Sequence, residues 1–201
     1  MTSVARLMGV VVAGGLLTAA PSPAEGTQAA KFIQTAIALR NPNVAYDSGY
    51  RRIAYPLGDV PQNVGVCADV IVRAYRGIGI DLQKLVHEDM KRHFGAYPMI
   101  WGLKHADANI DHRRVPNLAA FFKRHGKVLK ITRDPRDYRP GDVVTWNLRH
   151  GGSLPHIGIV TDRRALFGRN PLMMHNMGGG QVLEDMLFDY EITGHYRYGL
   201  D

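Results

Sequence analysis

The feature of this chain that most constrains its fold is a change of hydrophobic period near residue 126. Before that point, apolar residues recur at helical spacing; after it, short apolar runs are separated by Gly, Pro and Asp turns. Helices followed by strands favour an α+β fold over alternating βαβ units. Because no composition break divides the chain, we expect a single domain, residues 25–201, with N-terminal helices packed on a C-terminal antiparallel sheet.

Local signals predict where these elements lie. Helices are predicted where apolar spacing coincides with a cap or a stop, such as Thr27 before the first helix and Pro116 in the first turn of the last. The predicted helices are 27–40, 67–79, 81–93 and 116–125. The predicted strands are 127–132, 142–146, 157–161, 172–176, 181–184 and 194–198. Residues 43–66, rich in Gly, Pro, Asn and Tyr, predict a shaped loop.

The first 24 residues have the layout of a secretory signal peptide. Arg6 is their only charged side chain, the run from Leu7 to Ala20 is uncharged, and small residues precede a cleavage point before Glu25. The apolar run is short for a bilayer span, and an uncleaved anchor is the alternative interpretation. We expect a periplasmic or secreted bacterial protein whose mature part has no transmembrane segment.

Charge and cysteine content narrow the functional classes. The chain carries a formal net charge of +7. For an exported protein, this balance favours peptidoglycan or another anionic envelope polymer as the partner, and we expect no nucleic acid. Cys67 is the only cysteine, so it cannot form an intramolecular disulfide in an oxidising compartment. A free thiol exported into such a compartment is a liability unless it is buried or used.

Cys67 is the candidate nucleophile because it stands at the start of a predicted helix. A helix N-terminus stabilises a thiolate, so we expect a lowered thiol pKa. The backbone N–H groups of Cys67 and Ala68 are candidate donors to an oxyanion. Taken alone, a buried and inert cysteine is the better interpretation.

Two histidines are predicted on neighbouring strands downstream of the cysteine. His156 opens an apolar strand just after a Gly/Ser/Pro turn, where an imidazole is placed to act as base to a thiol. His175 lies on the next predicted strand, where it can orient the base. By itself either histidine is weak evidence, since the chain has nine.

The order of these motifs resembles the NlpC-like cell-wall cysteine peptidases. The parts are Gly65-Val66-Cys67-Ala68-Asp69, Pro140-Gly141-Asp142-Val143-Val144, His156-Ile157-Gly158-Ile159-Val160 and Met174-His175-Asn176, with Tyr55-Pro56-Leu57-Gly58 upstream. More closely, the chain resembles an exported bacterial family catalogued as domain of unknown function 1287.

The resemblance implies a papain-like fold and a Cys–His–polar triad. Cys67 would be the nucleophile, His156 the general base and acid, and His175 the group that orients it. Tyr55 would help to bind the oxyanion or the substrate carbonyl. Further candidates for the oxyanion or substrate site are Ala68, Asp69 and Asn176. The implied activity is that of a cysteine amidase or peptidase on peptidoglycan stem peptides, without a cofactor.

The chain departs from the usual Asp-Cys-Ser-Gly pattern of those peptidases on both sides of the cysteine, where it has Val66-Cys67-Ala68-Asp69. A carboxylate so close to Cys67 opposes a second negative charge on the sulfur.

Other interpretations stay open. An envelope protein could keep a papain-like cleft to hold a ligand without turnover, and the same triad could transfer acyl groups from lipids or esters. A metal site is not expected, because the spacings of His87, His93, His105 and His112 match no standard ligand pattern.

Overall fold

The computed structural model describes residues 26–200. The predicted signal peptide, residues 1–24, lies outside the described residues. The described chain contains the predicted helices, α1 (Gln28–Ala38), α2 (Cys67–Arg76), α3 (Leu82–Arg92) and α4 (Val115–His125). Short 3-10 turns lie at Phe94–Ala96, Asp111–Arg113 and Pro135–Asp137.

Two of the helices begin at side-chain caps, and the first of these is the predicted cap Thr27. Thr27 Oγ1 accepts a hydrogen bond from the Ala30 N–H at 3.1 Å and begins α1. Asp81 does the same for α3 through the Gln83 N–H, also at 3.1 Å. Pro116 lies in the first turn of α4, where its missing N–H costs nothing. Local chemistry therefore decides where these helices begin.

The C-terminal half forms a six-stranded antiparallel sheet. Its strands are β3 (Lys127–Val128), β4 (Val143–Asn147), β5 (Pro155–Arg164), β6 (Pro171–Asn176), β7 (Gln181–Glu184) and β8 (Glu191–Arg197). The spatial order is β3-β8-β4-β5-β6-β7. The last strand, β8, thus lies between β3 and β4. Sequence signals for strands do not specify this order.

The segment expected to be only a loop contains a small parallel pair, β1 (Ala45–Tyr46) and β2 (Val64–Gly65). Ala45 pairs with Val64, and Tyr46 with Gly65. Because Gly65 is two residues before Cys67, this pairing places Tyr46 next to the start of α2. Two-residue strands have too little pattern to be recognised in a sequence.

The sheet separates two apolar clusters. The larger one contains side chains of α1 to α4 together with Cys67, Ile157 and Ile159. The smaller one, on the other face, contains Trp146 and Val160. The fold is thus helices on one face of an antiparallel sheet, with a second layer of loop residues behind it. Within residues 26–200, no helix combines the length and the apolar character needed to cross a bilayer.

Candidate functional site

Cys67 is the first residue of α2 and lies at the wall of a groove with a volume of about 620 Å³. That volume is in the range of ligand sites. Three parts of the chain build the groove: the segment before α2, the loop and turn that precede α4, and the loop that precedes β5. The lining residues are Tyr46, Ser48, Tyr50, Val66, Cys67, Ile100, Trp101, Ile110, Arg113, Arg114, Val115, Pro116, Ser153 and Pro155.

The Cys67 sulfur has polar neighbours although it is buried. The backbone N–H groups of Ile157 and Ala68 and the Tyr46 hydroxyl donate towards it. Ile157 lies on β5 and Tyr46 on β1, so the sulfur is held where the helix start meets both strands. These donors stabilise negative charge at the sulfur or next to it.

Burial nevertheless raises the pKa of the Cys67 thiol to about 11, and the carboxylate of Asp69 acts in the same direction. The expectation of a lowered pKa at the helix start is therefore wrong for this protein. Desolvation outweighs the N–H donors because the side chain is only 3% exposed. The thiol of the free protein is protonated near neutral pH.

His156 and His175 lie on β5 and β6, and their rings meet on one face of the sheet. His156 Nε2 and His175 Nδ1 are 3.1 Å apart, with the ring planes at 90°. Glu184 of β7 extends the series, with its Oε2 3.1 Å from His175 Nε2. At Glu184 the contact is close enough for an ion pair, although its angle departs from that of a hydrogen bond.

The carboxylate at the end of this series selects the tautomers. A proton on His175 Nε2 faces Glu184, which leaves His175 Nδ1 as an acceptor for the N–H of His156 Nε2. His156 Nδ1 is then the ring nitrogen with a free lone pair. Burial, together with the neighbouring His175, lowers the pKa of His156 to about 3, so the ring is neutral near pH 7. The ring therefore has a lone pair for a proton at Nδ1, but with this pKa it is a weak base in the free protein.

The cysteine and the histidine pair approach the sheet from different sides. Successive side chains on a strand point to opposite faces. Ile157 belongs to the cluster that includes Cys67, whereas His156 lies 5.9 Å from the ring of Trp146 in the other cluster. Within residues 26–200, no hydrogen bond joins the Cys67 sulfur to His156, and His156 is not among the groove-lining residues.

Comparison with known proteins places the chain in a family. The family described as "Domain of unknown function (DUF1287)" matches residues 33–198.

The chain belongs to this family.

It is also similar to "Uncharacterized protein YijF" of Escherichia coli (strain K12), with 53% identity over 153 residues, which cover 76% of this chain and 73% of that protein. No solved structure matches the chain. The site of this member of the domain of unknown function 1287 family is therefore described from its own geometry.

Asp69 does not face the groove, contrary to the expectation that it contacts substrate. Its carboxylate is buried and accepts two hydrogen bonds from Arg113, at 2.8 Å and 2.9 Å. It also accepts the Val66 N–H at 2.7 Å, which fixes the residue before Cys67. Asp69 is a positioning residue whose hydrogen-bonding capacity is used within the fold.

Tyr55 is likewise not at the site. It is 44% exposed, its ring lies 5.1 Å from His87 of α3, and it is not among the groove-lining residues. Tyr46 takes the place next to the sulfur instead. The signal that could have found it is Tyr46-Asp47-Ser48-Gly49, a second Tyr-x-x-Gly element in the same loop.

Asn176 and Ala68 differ in what they contribute. Asn176 is buried, and its Nδ2 donates to the Gly65 carbonyl at 3.4 Å while its Oδ1 accepts the Gly178 N–H at 3.0 Å. It therefore holds the segment before the cysteine rather than a ligand. Ala68 directs its backbone N–H to the sulfur, as expected of an anion donor.

Glu184 is the functional candidate that sequence reasoning missed. It pairs with Met173 across β6 and β7, which puts it on the sheet face of His175. A glutamate at the end of a short strand has no sequence signal of its own. Among the described residues, no group of three or more metal-ligating side chains is close enough to hold a metal ion.

Proposed function

We propose that this protein is an exported cysteine hydrolase, an amidase or peptidase, with Cys67 as its nucleophile. The observation that carries the proposal is the Cys67 sulfur on the wall of the groove with three N–H or O–H donors around it. The His156–His175–Glu184 series begins one residue from Ile157, a donor to that sulfur, and supports the proposal.

The reaction begins with a neutral thiol and a neutral imidazole. His156 Nδ1 takes the thiol proton while the sulfur attacks the substrate carbonyl carbon, and the carbonyl oxygen becomes an oxyanion. Tyr46 donates to that oxyanion together with backbone N–H groups at the start of α2. Burial raises the pKa of Tyr46 to about 12, so its hydroxyl keeps its proton at every pH where the enzyme works.

His156 then returns the proton to the leaving amine, the C–N bond breaks and a thioester remains on Cys67. Water, deprotonated by the same imidazole, attacks the thioester and releases the carboxylic acid and the thiol. His175 and Glu184 keep the lone pair on His156 Nδ1 and offset the charge of the imidazolium. In the free protein the sulfur and this imidazole approach from different sheet faces, and burial makes the imidazole a weak base. The proposed proton transfer therefore requires a substrate complex in which the two groups come within hydrogen-bond distance and the pKa of His156 rises.

The substrate class that the site suits best is a peptidoglycan stem peptide. Arg114 lines the groove with its guanidinium 4.2 Å from the Trp101 ring centroid, which provides a cation and an apolar surface side by side. The predicted signal peptide and the resemblance to NlpC-like cell-wall peptidases support the same substrate and a periplasmic location.

Purified protein incubated with cell-wall sacculi tests the proposal. We expect released peptides from the wild type and none above background from Cys67→Ala or His156→Gln. His150→Gln is the matched control, because His150 is exposed and lies outside the groove. Equal release by wild type and Cys67→Ala, or no product on any amide or ester substrate, would refute the hydrolase.

A binding module is the second candidate, and the raised pKa of Cys67 is the observation that favours it. A non-catalytic protein would sediment with sacculi, release nothing and lose no affinity in Cys67→Ser. An enzyme would instead form a covalent adduct at Cys67 with a substrate-like amide or ester, which mass spectrometry of the intact protein detects.

A further inference from the structure

The hairpin between β5 and β6 ends in an exposed apolar tip. Leu166 is 95% exposed and Phe167 is 101% exposed, the highest values among the large apolar residues of the described chain. Isolated exposed apolar residues are ordinary, but two adjacent and fully exposed ones at the end of a hairpin gain nothing from the fold. Their side chains are available to a surface outside the protein.

Basic residues flank this tip on both sides. Arg163 and Arg164 precede it and Arg169 follows it, all exposed. Two acidic residues lie nearby: Asp162, whose carboxylate is 3.5 Å from Arg163, and Asp185, which accepts from Asn170 at 3.0 Å. Together these five charged side chains carry one more positive than negative charge around the apolar pair at the apex of the hairpin. That composition complements an anionic surface with an apolar interior.

The tip lies at the end of the sheet opposite the groove. Pro155 lines the groove at the start of β5, and Arg164 ends the same strand. Ten residues of strand separate these ends by about 30 Å. A surface that contacts the tip therefore leaves the groove open on the far side of the domain.

The start of α1 lies at the same end as the tip. Phe32, in the first half of α1, lies near Gly141, whose N–H donates to the Val160 carbonyl in the distal half of β5. At the other end of the helix, Asn41 forms a β-bridge with Gln181 of β7. Gln181 pairs with Asn176, which lies next to the segment before Cys67 and so near the groove. In the sequence, the apolar run from Leu7 to Ala20 precedes α1. The chain thus enters the domain on the side of the hairpin.

We propose that the β5–β6 hairpin is a membrane-contact element that inserts Leu166 and Phe167 into the interface of an anionic phospholipid bilayer. Arg163, Arg164 and Arg169 pair with the lipid phosphates around the insertion. The domain then stands on the membrane with its groove about one strand length above the surface, directed towards material outside the bilayer. This inference does not depend on the chemistry of Cys67.

Vesicle flotation of the full-length protein, as isolated from the cell envelope, tests the proposal. We expect binding to vesicles of phosphatidylethanolamine and phosphatidylglycerol, and weaker binding to pure phosphatidylcholine. Leu166→Ser/Phe167→Ser should lower the affinity by about tenfold or more, and Arg163→Gln/Arg169→Gln should remove the preference for the anionic lipid. Leu154→Ser is the matched control, since it removes an exposed leucine at the other end of β5.

A second measurement reports on the tip regardless of how the N-terminus is processed. The measurement is tryptophan fluorescence in vesicles that contain brominated phosphatidylglycerol. The fluorescence of Phe167→Trp should be quenched more strongly than that of the wild-type protein, whose tryptophans lie elsewhere. Equal quenching in a Phe167→Trp protein whose thermal unfolding midpoint is preserved would overturn the proposal. So would a concentration-dependent dimer lost in the tip variant without vesicle binding, because the tip would then contact a second copy.

Discussion

At the scale of single residues, the two Tyr-x-x-Gly elements show how position decides chemistry. Tyr46 and Tyr55 occur in the same pattern and in the same segment between α1 and α2. Strand pairing with Gly65 carries Tyr46 to the sulfur, whereas Tyr55 lies against His87. Only Tyr46 can therefore donate to an oxyanion formed at Cys67.

This difference predicts the outcome of removing each hydroxyl. If the proposed hydrolase mechanism holds, Tyr46→Phe should lower kcat for peptide release from sacculi by about 10- to 100-fold, as expected for loss of an oxyanion donor. Tyr55→Phe is the control and should stay within about twofold of wild type. Equal losses in both variants, measured by peptide release at saturating substrate, would remove Tyr46 from the mechanism.

The thiol of Cys67 has its own pH signature. Because burial raises its pKa to about 11, iodoacetamide should alkylate the folded protein more slowly than free cysteine from pH 5 to pH 9. The rate should still be rising at pH 9, and unfolding in urea should restore the rate of free cysteine. A plateau below pH 8 would show a thiolate–imidazolium pair in the free protein and contradict the neutral starting state.

At the scale of elements, a buried ion pair holds the start of α2. Arg113 binds Asp69 with two hydrogen bonds and also donates to the carbonyls of Asp47 and Gly49. The pair thus joins the helix that begins with Cys67 to the turn before α4 and to the segment after β1. Tyr46 and Arg114 line the groove and are adjacent in sequence to Asp47 and Arg113. The positions of these two groove residues therefore depend on the ion pair.

Breaking the pair should cost much more than breaking an exposed one. Arg113→Met leaves a buried carboxylate unpaired, and we expect the free energy of unfolding in urea to fall by about 3–5 kcal/mol. Arg136→Met is the control, since its contact with Asp134 is exposed and its loss should leave the free energy of unfolding close to the wild-type value. A loss of similar size in both would mean that Asp69 is not held by this pair.

At the scale of the whole molecule, buried neutral histidines predict sensitivity to acid. Burial lowers the pKa of His112 to about 4 and that of His156 to about 3. As pH falls below about 6.5, the unfolded chain takes up protons that the folded chain refuses. Stability is therefore complete above about pH 6.5 and declines as pH falls towards the folded pKa values.

Removing one of these histidines should flatten that decline. We expect the unfolding midpoint in urea to depend less on pH between 6.5 and 4 in His112→Leu than in the wild type. His150→Leu is the control, because His150 is exposed. An unchanged pH slope in His112→Leu would show that the pKa of His112 is the same in the folded and the unfolded chain.

The sequence by itself determined the elements that depend on neighbours along the chain. Helix starts at Thr27 and Asp81 follow from side chains that bond the backbone two or three residues away. The position of Cys67 at a helix start also follows from local pattern, as does the placement of His156 and His175 on separate strands. Capping and periodicity act over a few residues, so they can be seen in the sequence.

Only the tertiary structure decided which side chains meet and what their charges are. Tyr46 reaches Cys67 through a strand pair, Glu184 reaches His175 across a sheet, and β8 inserts between β3 and β4. The tertiary structure also decided that the pKa of the Cys67 thiol is raised and not lowered, because the effect of burial exceeds that of the helix start. Desolvation and long-range contacts depend on how the whole chain packs, and no local pattern encodes them.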